Sequence, residues 1–310
     1  MSDLLQKYAL TSDLIEKFID EKRFTYRTSE ELRRAIAGIC FALGQEFTDI
    51  YGKGAMEYYN SMILNNLKAS TIRSRLSRFR SFAKFIQENN LVSGYVNPFQ
   101  MITLNDEEGL NTVSKKMATI HEFDALLSAA SEDLMAYLIF TLAFRCALSV
   151  ADIVDLKLSY LSLSAEGMSL SFPQTRYHCA HMVRLPGDVA GLVQSYISQV
   201  TYFDAEGHLF YNKYHSPITS RNLDHLIVKY RKKAGCTRDF SFKDLRSKSI
   251  VNMIKANKES GREIHDVGEY AHIHTARLLA YETASSLDVD DCPAALVNIS
   301  VQLPKEGKVV

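Results

Sequence analysis

One run of this chain leaves little freedom in how it folds. Ile72, Leu76, Phe79, Ala83 and Ile86 recur at three- and four-residue intervals. That period puts them on one face of an α-helix and is incompatible with the alternation of a strand. Ser70 is the expected N-cap. Beside the apolar stripe stand Arg73, Arg75, Arg78, Arg80 and Lys84, with no acid before Glu88. Five cations on one short helix suit a run of phosphates, and a solvated basic face fits the same charges equally well.

Helical periodicity extends through residues 11–100. Thr11 or Ser12 is placed to cap a first helix with Leu14, Ile15, Phe18 and Ile19 inward. A second helix is expected from Ser29 to Leu43 and a third from Ala55 to Asn66. Residues 103–119 lose the period and read as a linker, in which Lys115 and Lys116 could meet a nucleic-acid backbone. Beyond it the pattern is mixed. A helix starts near Ile120, two more fall between Glu132 and Leu156, and others cover Val189–Gln199 and Ser220–Ala234. Met168–Phe172 and Met182–Leu185 read as two strands of a hairpin joined by Pro173–His181. The expected class is mainly α with a small antiparallel β-sheet. The boundaries are a helical N-terminal domain over 1–102, the linker, a second domain over 120–285 and a tail over 286–310. In the tail, Val297, Ile299, Val301 and Leu303 alternate with polar residues, a half-buried strand that suits docking on its own domain or on a neighbouring protomer.

Formal net charge over the 310 residues is zero, so any nucleic-acid footprint must come from local clusters. Besides the cluster from Arg73 to Lys84 there is one more. From Lys213 to Lys248 ten Lys or Arg, among them Lys229, Arg231, Lys232 and Lys233, face three Asp. The five cysteines are scattered without CxxC or metal-ligand spacing; they read as buried free thiols, and no metal site is expected. The N-terminus has no signal-peptide pattern. The most apolar stretch, Met135 to Phe144, falls far short of the ~20 residues that span a bilayer. A cytoplasmic protein without a membrane partner is expected.

The chemistry concentrates between Ser241 and Tyr281. Lys243 and Arg246 stand three apart, His272 follows, and Tyr281 comes nine residues later. Cations can grip a phosphate and a tyrosine can attack it. The boxes FKDLRSKS and AHIHTARLLAY resemble the C-terminal signature of the tyrosine recombinases, the phage-integrase family. In a separate part of the chain, Ser70-Thr71-Ile72-Arg73, then Phe79, Phe82 and Phe85, ending in Asn97-Pro98-Phe99, is similar to that family's core-binding domain.

The resemblance implies a helical SAM-like core-binding domain followed by a tyrosine-recombinase catalytic domain. It implies double-stranded DNA as partner, a tetramer on two DNA sites, and a site-specific strand exchange that integrates, excises or inverts a mobile element. No cofactor is implied, because a 3′-phosphotyrosine link conserves the bond energy; a directionality factor is left open. By position, Tyr281 would be the nucleophile, Arg246 a bidentate phosphate clamp and His272 a further phosphate ligand. Lys243 stands where the family has His or Lys.

Two departures bear on activity. The family's Gly-Leu-Arg-x-Ser-Glu-Leu box corresponds to Ala147–Ile153, where Asp152 keeps the acid but Ser149 occupies the arginine position. Losing one such stabilising donor costs on the order of 10²–10³ in rate. Arg145, one turn earlier, is the candidate replacement. The family's hairpin lysine is matched best by Arg176, a poor proton donor, which brings in His178 and His181 as nearby acids. Two rival readings follow: a DNA-binding or regulatory protein that keeps the fold but is catalytically impaired, and a type IB topoisomerase, against which Asn97-Pro98-Phe99 counts.

Overall fold

Thr25 and Gly44 fix the two ends of one helix. The Thr25 hydroxyl accepts the N–H of Thr28 at 3.4 Å. Gly44, with φ +69°, donates its N–H to the Cys40 carbonyl at 2.8 Å. A left-handed residue after the last turn is where glycine costs least. In the computed structural model, which describes residues 7–103, 117–165, 167–173 and 180–287, this helix is Tyr26–Leu43.

The chain divides into two compact units, Met1–Leu110 and Asn111–Val310. The first holds α1 (Ala9–Lys22), α2 (Tyr26–Leu43), α3 (Gly52–Leu64) and α4 (Ala69–Glu88). The apolar stripe of α4 faces inward as its period requires, with Ile72, Leu76, Phe79, Phe82, Ala83, Phe85 and Ile86 all buried. Phe79 and Phe82 meet Phe47, which stacks on Phe99 at 5.4 Å. Each such ring contributes about 1.5–3 kcal/mol by leaving water.

Two expected caps are corrected. Residue 68 is the N-cap of α4, without a side-chain bond, and Ser70 lies inside the first turn. Thr11 and Ser12 lie inside α1. Thr11 is fully buried, and its hydroxyl accepts the N–H of Phe47 at 2.9 Å while donating to the Glu46 carboxylate. A hydroxyl suited to capping is used there to cross-link two segments.

The second unit holds α5 (Ile120–Ala129), α6 (Leu134–Arg145), α7 (Val150–Val154), β1 (Leu161–Ser164), β2 (Gly167–Phe172), β3 (His181–Arg184), α8 (Gly187–Gln199), α9 (Ser220–Lys233), α10 (Phe242–Glu259), α11 (Ile264–Tyr270) and α12 (Thr275–Leu287). Helix α6 is the centre of its core, with Ala136–Phe144 buried all round, and Phe144 stacks on Phe123 at 3.8 Å. The sheet is antiparallel in the order β1-β2-β3, with Leu170 opposite both Leu161 and Val183. The class is as expected, with two differences. Strand β1 is additional, too short for its alternation to register, and His181 opens β3 instead of lying in the connection.

Among the described residues no helix is long and apolar enough to cross a membrane. Cys40 and Cys146 are buried free thiols as expected, while Cys236 is only half-buried. Cys179 and Cys292, Lys115 and Lys116, Arg176 and His178, and the alternating tail lie outside the described residues.

Candidate active site

Helix α10 begins with a capping box. The Ser241 N–H and O–H both donate to Asp244 Oδ2, at 2.8 and 2.7 Å. Lys243 is exposed on the first turn and Arg246 follows one turn on, half-buried. Arg246 Nη2 donates to the carbonyl of Ala271 at 2.5 Å. Ala271 is the C-cap of α11, and the next residue, His272, takes a left-handed backbone with φ +52°. The His272 N–H reaches Glu269 O at 3.2 Å and the Ile273 N–H reaches Gly268 O at 2.8 Å. This is a Schellman ending built on a non-glycine residue, a conformation that costs roughly 1–2 kcal/mol. The guanidinium therefore anchors the strained turn that carries His272.

Tyr281 lies on α12, 5% exposed. Its phenol oxygen is 3.3 Å from Ser247 Oγ, and the Arg277 guanidinium stands 5.9 Å from its ring centre. The ring belongs to a small apolar cluster with Ala147, Ile250, Val251, Ile254, Val267, Ala271 and Leu278. That cluster joins the distant 147–153 run to three consecutive helices, α10, α11 with its C-cap, and α12. Gly268 permits the approach, because a Cβ there would sit 3.0 Å from Leu278 Cδ2.

The 147–153 run starts with buried Ala147 at φ +51°. Ser149 is then the N-cap of α7. Its hydroxyl accepts the Asp152 N–H at 3.2 Å, and its own N–H donates to Asp152 Oδ2 at 2.7 Å. The serine and the acid thus hold each other in a capping box. Arg145, the last residue of α6, pairs with Asp188 at 3.0 Å with 9% of its side chain exposed. It borders a cleft of about 500 Å³ together with Ser249, Asn252 and Tyr270.

His181 enters from β3. Its ring meets that of His272 edge to face, centroids 4.5 Å apart at 77°. Burial pushes the His181 imidazole below its ordinary value, and His272 and Arg246 act in the same direction. Asp152 and a hydrogen bond to the Tyr270 backbone oppose them. Arg246, His272, His181 and Asp152 therefore share one electrostatic neighbourhood.

The two basic helices divide their cations between surface and structure. On α4, Arg80 Nε donates to Phe99 O at 3.0 Å and its Nη2 to Ile102 O. Arg78 pairs with Glu31 at 2.5 Å, Arg75 contacts the Tyr58 hydroxyl at 3.5 Å, and Lys84 pairs with Glu88 at 3.4 Å on the surface. Arg73 is half-buried. On α9, Arg231 donates to Phe240 O at 2.6 Å and pairs with Asp239. Lys229 and Lys233 lie over the Tyr230 ring, at 4.7 and 5.8 Å, and Lys232 is exposed. Arg80 and Arg231 thus act inside the fold, which charge counting along the sequence does not reveal.

Ser247 next to Tyr281 carries no sequence signal beyond its place in the Lys243–Arg246 box. His181 does carry one: it shares a strand face with buried Val183. Among the described residues no group of three or more His, Cys, Asp or Glu could hold a metal ion.

The model of the phage integrase family matches residues 116–283, more than half of the 310 residues. Among curated protein sequences none matches. Solved structures do. The Tn1549 transposon integrase in complex with transposon right-end DNA is similar with a TM-score of 0.67 at 14% identity, over 87% of this chain and 94% of that one. A lambda integrase dimer bound to a COC′ core site gives 0.66 at 16% identity, over 94% and 98%. A lambda integrase tetramer bound to a Holliday junction gives 0.67 at 16% identity, over 91% and 79%.

Proposed function

Because the chain belongs to the phage integrase family, we propose that it is a site-specific DNA strand transferase that works through a 3′-phosphotyrosine intermediate. The observation that carries the reading is the apolar cluster around Tyr281, which unites α12 with α10, the helix of Lys243 and Arg246, and with Ala271, the residue before His272. Tyr281 Oη attacks the scissile phosphorus, the bond to the 5′-oxygen breaks, and that oxygen takes up a proton as the phenolic proton is given up. Arg246 and His272 hold the non-bridging oxygens, and Lys243, exposed on the first turn of α10, adds a positive charge. Arg176, and His178 beside it, are assigned to the leaving-group side. Attack by a new 5′-hydroxyl reverses the step and completes the exchange without a cofactor.

The exposed Lys84, Lys229, Lys232 and Lys233 of α4 and α9, with half-buried Arg73, are assigned to the DNA backbone. Asp152 is assigned to bracing the 149–152 turn. Drawing Arg145 onto the phosphate would exchange its Asp188 partner for the substrate, and in that event it would supply the charge missing at Ser149. The lambda integrase structure on a Holliday junction is a tetramer, and by analogy a tetramer on two sites is proposed for this chain.

A second reading has its own support. Ser149 is engaged as a helix cap and Tyr281 is buried, which suits a DNA-binding or regulatory protein that retains the fold. Covalent trapping separates the two. A nicked suicide substrate carrying the DNA end of the protein's own element should give a protein–DNA adduct on a denaturing gel, lost in Tyr281→Phe. Tight, salt-sensitive binding without an adduct would select the second reading.

A further inference from the structure

His181 belongs to neither sequence box, yet it touches what holds His272. It opens β3 opposite Phe172, on whose ring it stacks at 6.2 Å. Its ring also meets that of His272, centroids 4.5 Å apart with the planes at 77°, and it hydrogen-bonds the backbone of Tyr270, the last residue of α11. His272 needs such support. It stands just past the end of a helix on a left-handed backbone. Arg246 secures the preceding carbonyl, and His181 secures the ring itself.

We propose that His181 is a positioning residue for His272, its ring wedged between Phe172 and His272 so that the His272 imidazole is held toward the bound phosphate. This rests on the recombinase reading for its purpose, though not for its geometry. Among the described residues, the charged and titratable groups acting on His181 are His272, Arg246 on α10 and Asp152 on α7. Two imidazoles in edge contact beside a guanidinium do not readily both take a proton, so their titrations are coupled. Removing one ring takes away that source of repulsion on the other.

The test uses the full chain with ring-labelled histidine, in wild type, His181→Phe and His181→Ala. His181→Phe keeps an aromatic edge and removes the ring nitrogens; His181→Ala removes both. The His272 resonance should titrate at higher pH in both variants. Single-turnover cleavage at saturating DNA should fall about tenfold or more from lost alignment, more in Ala than in Phe. DNA affinity should stay within about twofold, since the backbone contacts assigned to the cations of α4 and α9 are untouched. The pH–rate limb that belongs to His272 should move to higher pH. An unchanged His272 titration overturns the proposal, as does unchanged cleavage in an active enzyme. If wild type forms no adduct, the recombinase reading fails, and the His272 titration alone still decides whether the two rings are coupled.

Discussion

The phenol oxygen of Tyr281 lies 3.3 Å from the hydroxyl of Ser247, one residue beyond Arg246 on α10. Both side chains are buried, at 5% and 2% exposure. The proposed nucleophile is thus tied to the helix that carries the proposed phosphate clamp, and turned away from solvent. Reaching a phosphate requires that bond to break. A hydrogen bond of this kind contributes about 0.5–1.5 kcal/mol net. Ser247→Ala should therefore speed adduct formation on a nicked suicide substrate roughly two- to tenfold. A slower rate would mean that Ser247 assists the phenol.

Ser149 presents two opposing effects in one side chain. As the cap of α7 it satisfies the Asp152 N–H, and replacing such a cap costs about 1 kcal/mol. If it occupies the family's arginine position, as the resemblance implies, the transition-state charge lacks one donor, a deficit of about 10²–10³ in rate. Ser149→Arg should lower the unfolding midpoint in denaturant and raise the single-turnover cleavage rate by up to that factor. A rate gain with Arg145→Ala neutral would assign the role to position 149. A rate loss in Arg145→Ala in the wild-type background would assign it to Arg145.

The fold was legible wherever one period ran long enough. The α4 stripe located its helix to within a residue or two, because seven buried positions reinforce one another. Helix ends read less well. Thr11 and Ser70 have the chemistry of caps, but burial against Glu46 and Phe47 decided the use of the first. Strand β1 spans four residues, too few for alternation to stand out. In the proposed site, Lys243, Arg246, His272 and Tyr281 were singled out by the resemblance of two sequence boxes to the family. What surrounds them was not: the Ser247 contact and the His181 ring arrive from tertiary packing over 34 and 91 residues of chain. The five cations of α4 were visible, but not that Arg80 is turned onto the carbonyls of Phe99 and Ile102.

His181 also gives the protein an acid sensitivity. Burial, then His272, hold its folded value below the ordinary one, so the unfolded chain binds this proton more readily than the folded one. Stability from this group is complete above the unfolded value of about 6.5. It declines as pH falls from there to the lower folded value, and is constant below that. Denaturant midpoints at pH 7.5 and 5 should differ more for wild type than for His181→Phe. Equal differences would show that the ring titrates alike in both states.

Arg231 and Lys232 are neighbours on α9 with opposite expected phenotypes. Arg231 holds the buried Phe240 by its carbonyl and pairs with the exposed Asp239, with 15% of its own side chain exposed, whereas Lys232 is exposed. Hydrogen bonds from a charged group contribute about 1.5–3 kcal/mol, so Arg231→Ala should reduce stability by about that much. Lys232→Ala should leave unfolding unchanged. If Lys232 neutralises one phosphate, its loss should flatten the slope of log K against log salt by about 0.9 on duplex DNA. Arg80→Ala on α4 should follow Arg231, because its guanidinium is likewise given to backbone carbonyls. Lys84→Ala should follow Lys232, its pair with Glu88 being surface-exposed and of little weight for stability. Salt-titrated binding and denaturant melts on the same four variants check the division. A salt slope that moved with Arg80 or Arg231, at unchanged stability, would return those arginines to the DNA surface.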